Sequence, residues 1–241
     1  MLTSVERGAS LITYDVLLGP YIVGVKMLNI DDHIFQESGQ SLGKGSFGSI
    51  VPLRDELGEL VAKRIKFREK LQLMSKNNNG QEWSVFARFS EVERVIVEYA
   101  IAKVCSMLGI APQIKTDIGF DLVCYRDCIE FYMERCWPSV GLTSKGDISE
   151  RLKYCVAVMH EHRLIHRDIK PANIVWSANA DDYVLCDFGV SCTVLEPVGF
   201  KTLTESEGTE KYMTAELKCL TGKGYADLYH ADMFALSMAI E

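Results

Sequence analysis

Residues 166–173 read His-Arg-Asp-Ile-Lys-Pro-Ala-Asn, and fourteen positions after that asparagine stands Asp187, followed by Phe188 and Gly189. Asp168, Asn173 and Asp187 thus put three side chains able to handle a proton or a hard cation on two neighbouring loops. Oxygen donors of this kind suit Mg2+, which can bind phosphates at the same time. The spacing is one that phosphoryl transfer uses.

Such loops need a cradle for phosphates upstream. The stretch Leu42-Gly43-Lys44-Gly45-Ser46-Phe47-Gly48-Ser49-Ile50 offers one. Its glycines can take backbone conformations closed to other residues, so peptide N–H groups can approach phosphate oxygens closely. Gly-x-Gly-x-x-Gly also marks dinucleotide sites, but there it opens a helix. Here the strand-like Ser49-Ile50-Val51 follows, which predicts a hairpin. Lys63 comes fifteen residues after Gly48, in the strand-like Val61-Ala62-Lys63. Downstream of both loops lies Gly208-Thr209-Glu210-Lys211-Tyr212-Met213-Thr214-Ala215-Glu216.

These four blocks, in this order, resemble the eukaryotic protein kinase family, serine/threonine type, over about residues 35–241. The resemblance implies an α+β, two-lobed fold. Its N-lobe is an antiparallel sheet with one main helix, and its C-lobe is mainly helical and here incomplete. It implies residues 35–135 as N-lobe and 136–241 as C-lobe, with 1–34 an extension that carries no readable motif. ATP and Mg2+ are the implied cofactors and a protein hydroxyl the implied acceptor.

Residue by residue, the resemblance implies that Leu42, Gly43, Lys44, Gly45, Ser46, Phe47 and Gly48 cradle the nucleotide. Ile50 and Ala62 would sandwich the adenine. Met133 would be the gatekeeper, with backbone groups of Glu134 and Cys136 reading the adenine edge. Lys63 would meet the α- and β-phosphates, held by a helical acid. Arg64 and Lys66 are its rivals, but Arg64 points to the opposite strand face and Lys66 lies further along. For the acid, Glu98 is expected, with Glu91 two turns away as the alternative. Asp168 would be the base, Lys170 would steady the transferring group, and Asn173 and Asp187 would hold Mg2+. Thr209 would contact Asp168 and Lys170. His166 and Phe188 would pack together, Cys186 would line the nucleotide pocket, and His160 and His162 would be helix-end residues. Arg167 marks the type whose loop a phosphate can order, with Thr202, Thr204 and Ser206 as candidate sites. Glu205 and Glu207 supply negative charge there without phosphorylation. The Asp168-x-Lys170-x-x-Asn173 pattern is that of serine/threonine kinases.

The remaining elements follow from periodicity. Val92, Val95, Ile96, Tyr99, Ala102 and Val104 predict a helix over 91–108. Strand-like runs lie around 113–123 and 128–133, and residues 75–80 read as a polar loop. Asp147 with Glu150 has the form of a capped helix start. Behind it Ile148, Leu152, Cys155, Val156 and Met159 form a core-facing stripe.

Composition narrows the class. With 48% hydrophobic and 24% charged residues the chain can bury a core, and its net charge of −7 disfavours nucleic acid or anionic membrane as partners. The apolar stretch 11–30 is broken by Asp15, Gly19, Pro20, Gly24 and Lys26, so no membrane span is expected. Glu6 sits where a signal peptide would be basic. None of the eight cysteines forms a Cys-x-x-Cys pair, which disfavours zinc. Reduced, mostly buried thiols in a cytoplasmic or nuclear compartment are expected.

Departures from the family pattern also count. Thr214-Ala215-Glu216 stands where Ala-Pro-Glu is usual. Between Cys136 and His166 the chain is short, and Val140 falls near where an acid often contacts ribose. Asp232 is placed to brace the catalytic loop backbone, and the sequence stops nine residues later. Phe234, Leu236, Met238, Ala239 and Ile240 are then expected to form an apolar surface that another protein or a missing segment would cover. Two readings follow: a working serine/threonine kinase, or a truncated kinase-like binding module that inhibits or scaffolds another kinase without catalysis. The retained Lys63, Asp168, Asn173 and Asp187 favour the first. A small-molecule phosphotransferase would not account for residues 208–216.

Overall fold

Alternating apolar and polar residues build a seven-stranded sheet in the order β1-β2-β6-β7-β5-β4-β3. Its strands are β1 (Ser10–Leu18), β2 (Tyr21–Asn29), β3 (Gly43–Gly45), β4 (Gly48–Pro52), β5 (Leu60–Lys66), β6 (Leu122–Cys124) and β7 (Cys128–Glu134). The computed structural model describes residues 9–18, 20–30, 34, 37–45, 48–54, 59–67, 81–125, 127–139, 145–194, 200–203, 207–219 and 224–240, of which 45, 81–90, 145–147, 200–203 and 224–226 as backbone only. The polar loop at 75–80 and Val140 lie outside them. Contacts divide the chain into two compact units. The first comprises Met1–Val16, Val23–Ala100 and Ile114–Arg135; the second comprises Leu17–Ile22, Ile101–Gln113 and Cys136–Glu241.

In the first unit β3·β4, β4·β5, β5·β7 and β6·β7 pair antiparallel. The segment without a readable motif supplies β1 and β2, and β2 runs parallel to β6 with Met27 opposite Leu122. Helix α1 (Gln81–Met107) starts ten residues before the predicted helix at 91. Its stripe of Val95, Ile96 and Tyr99 is buried, as the spacing of three and four requires. The strand-like run at 113–123 reduces to β6 and an isolated bridge between Ile114 and Met133.

The second unit contains β8 (Trp137–Pro138), α2 (Lys145–Glu161), β9 (Leu164–Ile165), β10 (Ile174–Ser177), β11 (Asp182–Leu185), β12 (Cys192–Thr193), β13 (Phe200–Leu203), α3 (Ala215–Lys218), β14 (Gly224–Asp227) and α4 (Leu228–Ile240). Helix α2 begins two residues before the expected cap Asp147. Leu152, Cys155, Val156 and Met159 on it are fully buried, and Ile148 is half-buried. Each such aliphatic side chain contributes about 1.5–3 kcal/mol. Thr214 caps α3 by accepting from the Leu217 amide at 3.4 Å, a use for the residue that replaces the usual alanine. Helix α4 buries Leu228, Ala231, Asp232, Ala235 and Leu236, one helical stripe. Leu236 is therefore core rather than uncovered surface, while Phe234, Met238, Ala239 and Ile240 are half-buried. All eight cysteines are free thiols. Among the described residues no helix is long and apolar enough to cross a membrane.

Candidate active site

In β5, side chains alternate between two faces of the sheet, so Val61, Lys63 and Ile65 share one face and Ala62 and Arg64 the other. Lys63 is 6% exposed and its Nζ donates to Oε1 of Glu98, which is 2% exposed on α1. Two sequence-distant residues thus form a buried ion pair, with Glu98 the acid in it. Ile50 is the cross-strand partner of Lys63 and lies on its face. Ala62 does not. It is fully buried on the opposite face, in a cluster with Leu53, Phe120, Val123, Tyr125, Cys128 and Tyr132. A strand's period of two forbids adjacent residues from sharing a face, and Val61 stands where Ala62 was expected.

The glycine-rich segment is a hairpin of β3 and β4, with Gly43 opposite Ile50 and Gly45 opposite Gly48. Gly48 has φ +151°, and a Cβ there would lie 2.7 Å from the Arg64 carbonyl oxygen, so only glycine fits. Leu42 and Lys44 are exposed, and Ser46 and Phe47 lie outside the described residues. On β7, Met133 pairs with Val61 and Glu134 with Leu60. Both are half-buried; Cys136, also half-buried, belongs to the second unit.

In the second unit the two loops come together through strands. Pairing of β10 with β11 sets Ile174 opposite Leu185, and the Cys186 amide donates to the Asn173 carbonyl at 2.9 Å, which brings Asn173 beside Asp187. β12 pairs with β9, Cys192 opposite Ile165, tying the segment after Asp187 to the one before His166. Asp232 on α4 accepts from the amides of His166 and Arg167, both at 2.8 Å. Arg167 and Asp187 have φ of 68° and 67°. Aspartate tolerates this region, whereas arginine needs the surrounding bonds to hold it there. His160 Nε2, which sequence reasoning treated as a helix end, lies 3.1 Å from Asp232 Oδ2 and stacks on Tyr229. Only the fold brings those residues together.

Asp168 is 5% exposed and is surrounded by donors. Lys170 Nζ donates to Oδ2 at 2.7 Å and to Thr209 Oγ1 at 2.8 Å, and the Thr209 hydroxyl donates to Oδ1 at 2.7 Å. Asn173 Nδ2 donates to the Asp168 carbonyl at 2.9 Å and to Oδ2 at 3.1 Å. Gly208, at φ +120°, lets the segment carrying Thr209 descend onto the loop: a Cβ there would meet the Arg167 carbonyl oxygen at 2.5 Å. His166 packs against Phe188 with ring centroids 5.2 Å apart. Its Nε2 faces the Cys186 carbonyl at 3.2 Å and its Nδ1 faces the Asp168 amide at 3.3 Å, a pattern that needs the neutral ring. Burial holds its pKa below the ordinary value, against nearby aspartates that raise it. Arg167 Nη1 donates to Glu207 at 3.0 Å and to the Val190 carbonyl at 3.1 Å. Of the candidate phosphorylation sites, Thr204 and Ser206 lie outside the described residues, as does Glu205, and Thr202 is described as backbone only.

The donor set fits Mg2+ in the way phosphate-transferring proteins use it. The Asn173 amide nitrogen is engaged with Asp168, which leaves its oxygen as the atom to offer, and Asp187 adds a carboxylate. Among the described residues no cluster of three or more His, Cys, Asp or Glu could hold a metal. A site of two protein oxygens, completed by phosphates and water, is the arrangement Mg2+ prefers.

Comparison with known proteins gives the same picture. Residues 36–240 match the family described as protein kinase domain. The chain is 27% identical over 210 residues to the dual specificity protein kinase FUZ7 of Mycosarcoma maydis, covering 83% of this chain and 41% of that protein. A calcium/calmodulin-dependent protein kinase of Metarhizium anisopliae is 24% identical over 197 residues, 77% of this chain and 45% of its own length. An Aurora kinase of Yarrowia lipolytica is 27% identical over 187 residues, covering 70% and 42%. The chain spans less than half the length of these curated relatives. A glycine hairpin above a buried Lys–Glu pair, and an acid-bearing loop closed by Thr209, accompany a match across most of the sequence: this chain belongs to the protein kinase family.

Proposed function

We propose that the chain is a protein serine/threonine kinase domain, transferring the γ-phosphoryl group of ATP to hydroxyls of a protein substrate. The observation that carries this reading is the bonding around Asp168. Lys170, Thr209 and Asn173 all donate to it, so its carboxylate is oriented in advance rather than by the substrate. Asp168 orients the acceptor hydroxyl and receives its proton as the new O–P bond forms and the bond from the γ-phosphorus to the bridging oxygen breaks, ADP leaving. Lys170, 2.8 Å from Thr209, holds positive charge beside the transferring group. Lys63, kept in place by Glu98, meets the α- and β-phosphates. Asn173 and Asp187 would hold Mg2+, which offsets phosphate charge when bound. Val61 and Ile50, on the face of Lys63, pack on the adenine in place of the expected Ala62. Glu207 fills the place of an activating phosphate by engaging Arg167.

The test uses residues 1–241 with labelled ATP, Mg2+ and a basic protein substrate, beside Asp168→Asn and Asp187→Asn. Incorporation by the parent chain that falls about 10²–10⁴-fold in Asp168→Asn is expected. A folded chain that binds ATP and transfers nothing would overturn the reading in favour of a binding module that acts on another kinase.

A further inference from the structure

The segment preceding the glycine hairpin carried no motif, yet it is tied, directly or in relay, to the residues that follow Lys63 and Glu98. On the helix side the path runs through Tyr99, the residue after Glu98. Tyr99 is fully buried and its hydroxyl donates to Asp121 Oδ1 at 2.6 Å. Asp121, 6% exposed, also accepts the Lys26 amide of β2 at 2.8 Å, and its own amide donates to the Lys26 carbonyl at 2.8 Å. The tyrosine ring meets Phe131 edge-on, centroids 5.5 Å apart, and Phe131 is the cross-strand partner of Lys63. Burial, then Asp121, raise the Tyr99 pKa, so its hydroxyl stays a donor.

On the strand side the path runs through Arg64, the residue after Lys63. Its guanidinium binds Glu130 on β7 and Glu37 ahead of the hairpin. Glu130 accepts from the Tyr132 hydroxyl at 3.3 Å, Tyr132 lies 3.1 Å from the Tyr125 hydroxyl, and that oxygen accepts the Ile34 amide at 3.3 Å. Leu28, Ile30 and Ile34 pack on the same cluster as Ala62 and Tyr132. Each member of the pair is thus followed by a residue hydrogen-bonded, directly or in relay, to residues 26–37.

We infer that Tyr99 and Asp121 are positioning residues for Glu98, and that the β2 segment is the element through which α1 is held at the height where Glu98 reaches Lys63. This rests on the reading of Lys63–Glu98 as the phosphate-binding pair. Glu98 and Tyr99 are neighbours on one helix, so a bond that pins Tyr99 fixes both the rotation and the height of Glu98. A polar tie between a buried carboxylate and one hydroxyl is directional in a way that apolar packing is not.

The test is a double-mutant cycle of Tyr99→Phe with Glu98→Gln, read two ways. One is the rate at which acetic anhydride labels Lys63, followed by mass spectrometry; the other is kcat/KM for ATP. Tyr99→Phe alone should raise labelling several-fold and lower kcat/KM about tenfold, since a displacement near 1 Å at a reacting centre can cost about 10²-fold. In the Glu98→Gln background it should change either by less than about twofold, because the pair it positions is already broken. Equal effects in both backgrounds, or unchanged labelling in Tyr99→Phe, would overturn the inference. Should Tyr99→Phe not fold, Asp121→Asn, which keeps volume and one acceptor oxygen, is read by the same criteria. The expected labelling pattern in a parent chain that transfers no phosphate would uphold the positioning role while removing the catalytic one.

Discussion

The two units hold their polar groups in opposite ways. In the first, Lys63 and Glu98 come from a strand and a helix 35 positions apart and meet in one ion pair. In the second, Asp168 is gripped by Lys170, Asn173 and Thr209, and the backbone beside it by Asp232. One arrangement depends on the placement of a whole helix. The other is over-determined within a few residues. A contact between a strand and a helix shifts when the helix moves, whereas an over-determined loop stays poised.

Removing the brace of the loop should have the largest effect. Asp232→Ala strands the buried His166 amide and the half-buried Arg167 amide. An unsatisfied group costs about 1–3 kcal/mol, so urea unfolding should register a loss of about 2–5 kcal/mol, less than twice the full cost because Arg167 is partly solvated, and label incorporation should fall with it. Next come the two glycines. Gly208→Ala and Gly48→Ala each push a Cβ onto a carbonyl oxygen, at 2.5 and 2.7 Å, in left-handed backbone. Each should cost about 1–3 kcal/mol. The comparison is sharpened by kinetics: Gly208→Ala should lower kcat by displacing Thr209, and Gly48→Ala should raise KM for ATP. The same loss in both constants for both variants would erase the distinction.

The third effect depends on pH. Folded His166 titrates below its ordinary 6.5, and an unfolded chain takes that proton near 6.5. Between those values the unfolded state binds more protons, so this stabilisation is complete above about pH 6.5 and is lost as pH falls toward the folded value. Urea midpoints at pH 7.5 and 5.5 should differ in that sense, by less than about 1.4 kcal/mol per pH unit, and more shallowly in His166→Phe. The smallest change in stability belongs to Glu207→Gln. Glu207 is 39% exposed, so unfolding should shift by less than about 1 kcal/mol. Activity should drop several-fold in that variant, and phosphatase treatment of the parent chain should leave its rate unchanged.

What could be read from the sequence was what is local. The loop at 166–173 and the Asp187 loop are short, the chemistry open to them resides in residue type and spacing, and the fold sets them side by side through β10 and β11. Helical periodicity put Glu98 and Glu91 on a similar face, and the distance from Glu98 to residues 111–114 favoured Glu98; the strand-like Ser49-Ile50-Val51 after Gly48 pointed to a hairpin. Ala62 was placed on the wrong face because a motif match one residue out of register inverts a strand. The roles of His160, Asp121 and Tyr99 depend on partners 72 and 22 positions away, for which periodicity carries no signal. Likewise β2 joins the sheet through backbone pairing, which leaves little mark on side-chain type.

Asp232 has a further consequence, for the order of events in folding. It reaches back 66 positions to the His166 amide, so the loop cannot take its final shape until α4 has been synthesised and has docked. Contacts of such long sequence separation form late, because loop closure costs entropy before it is rewarded. A nascent chain ending before residue 228 would carry Asp168, Asn173, Asp187 and Thr209 while lacking the anchor that shapes their loop. The final shape of that loop then waits on the arrival of one carboxylate.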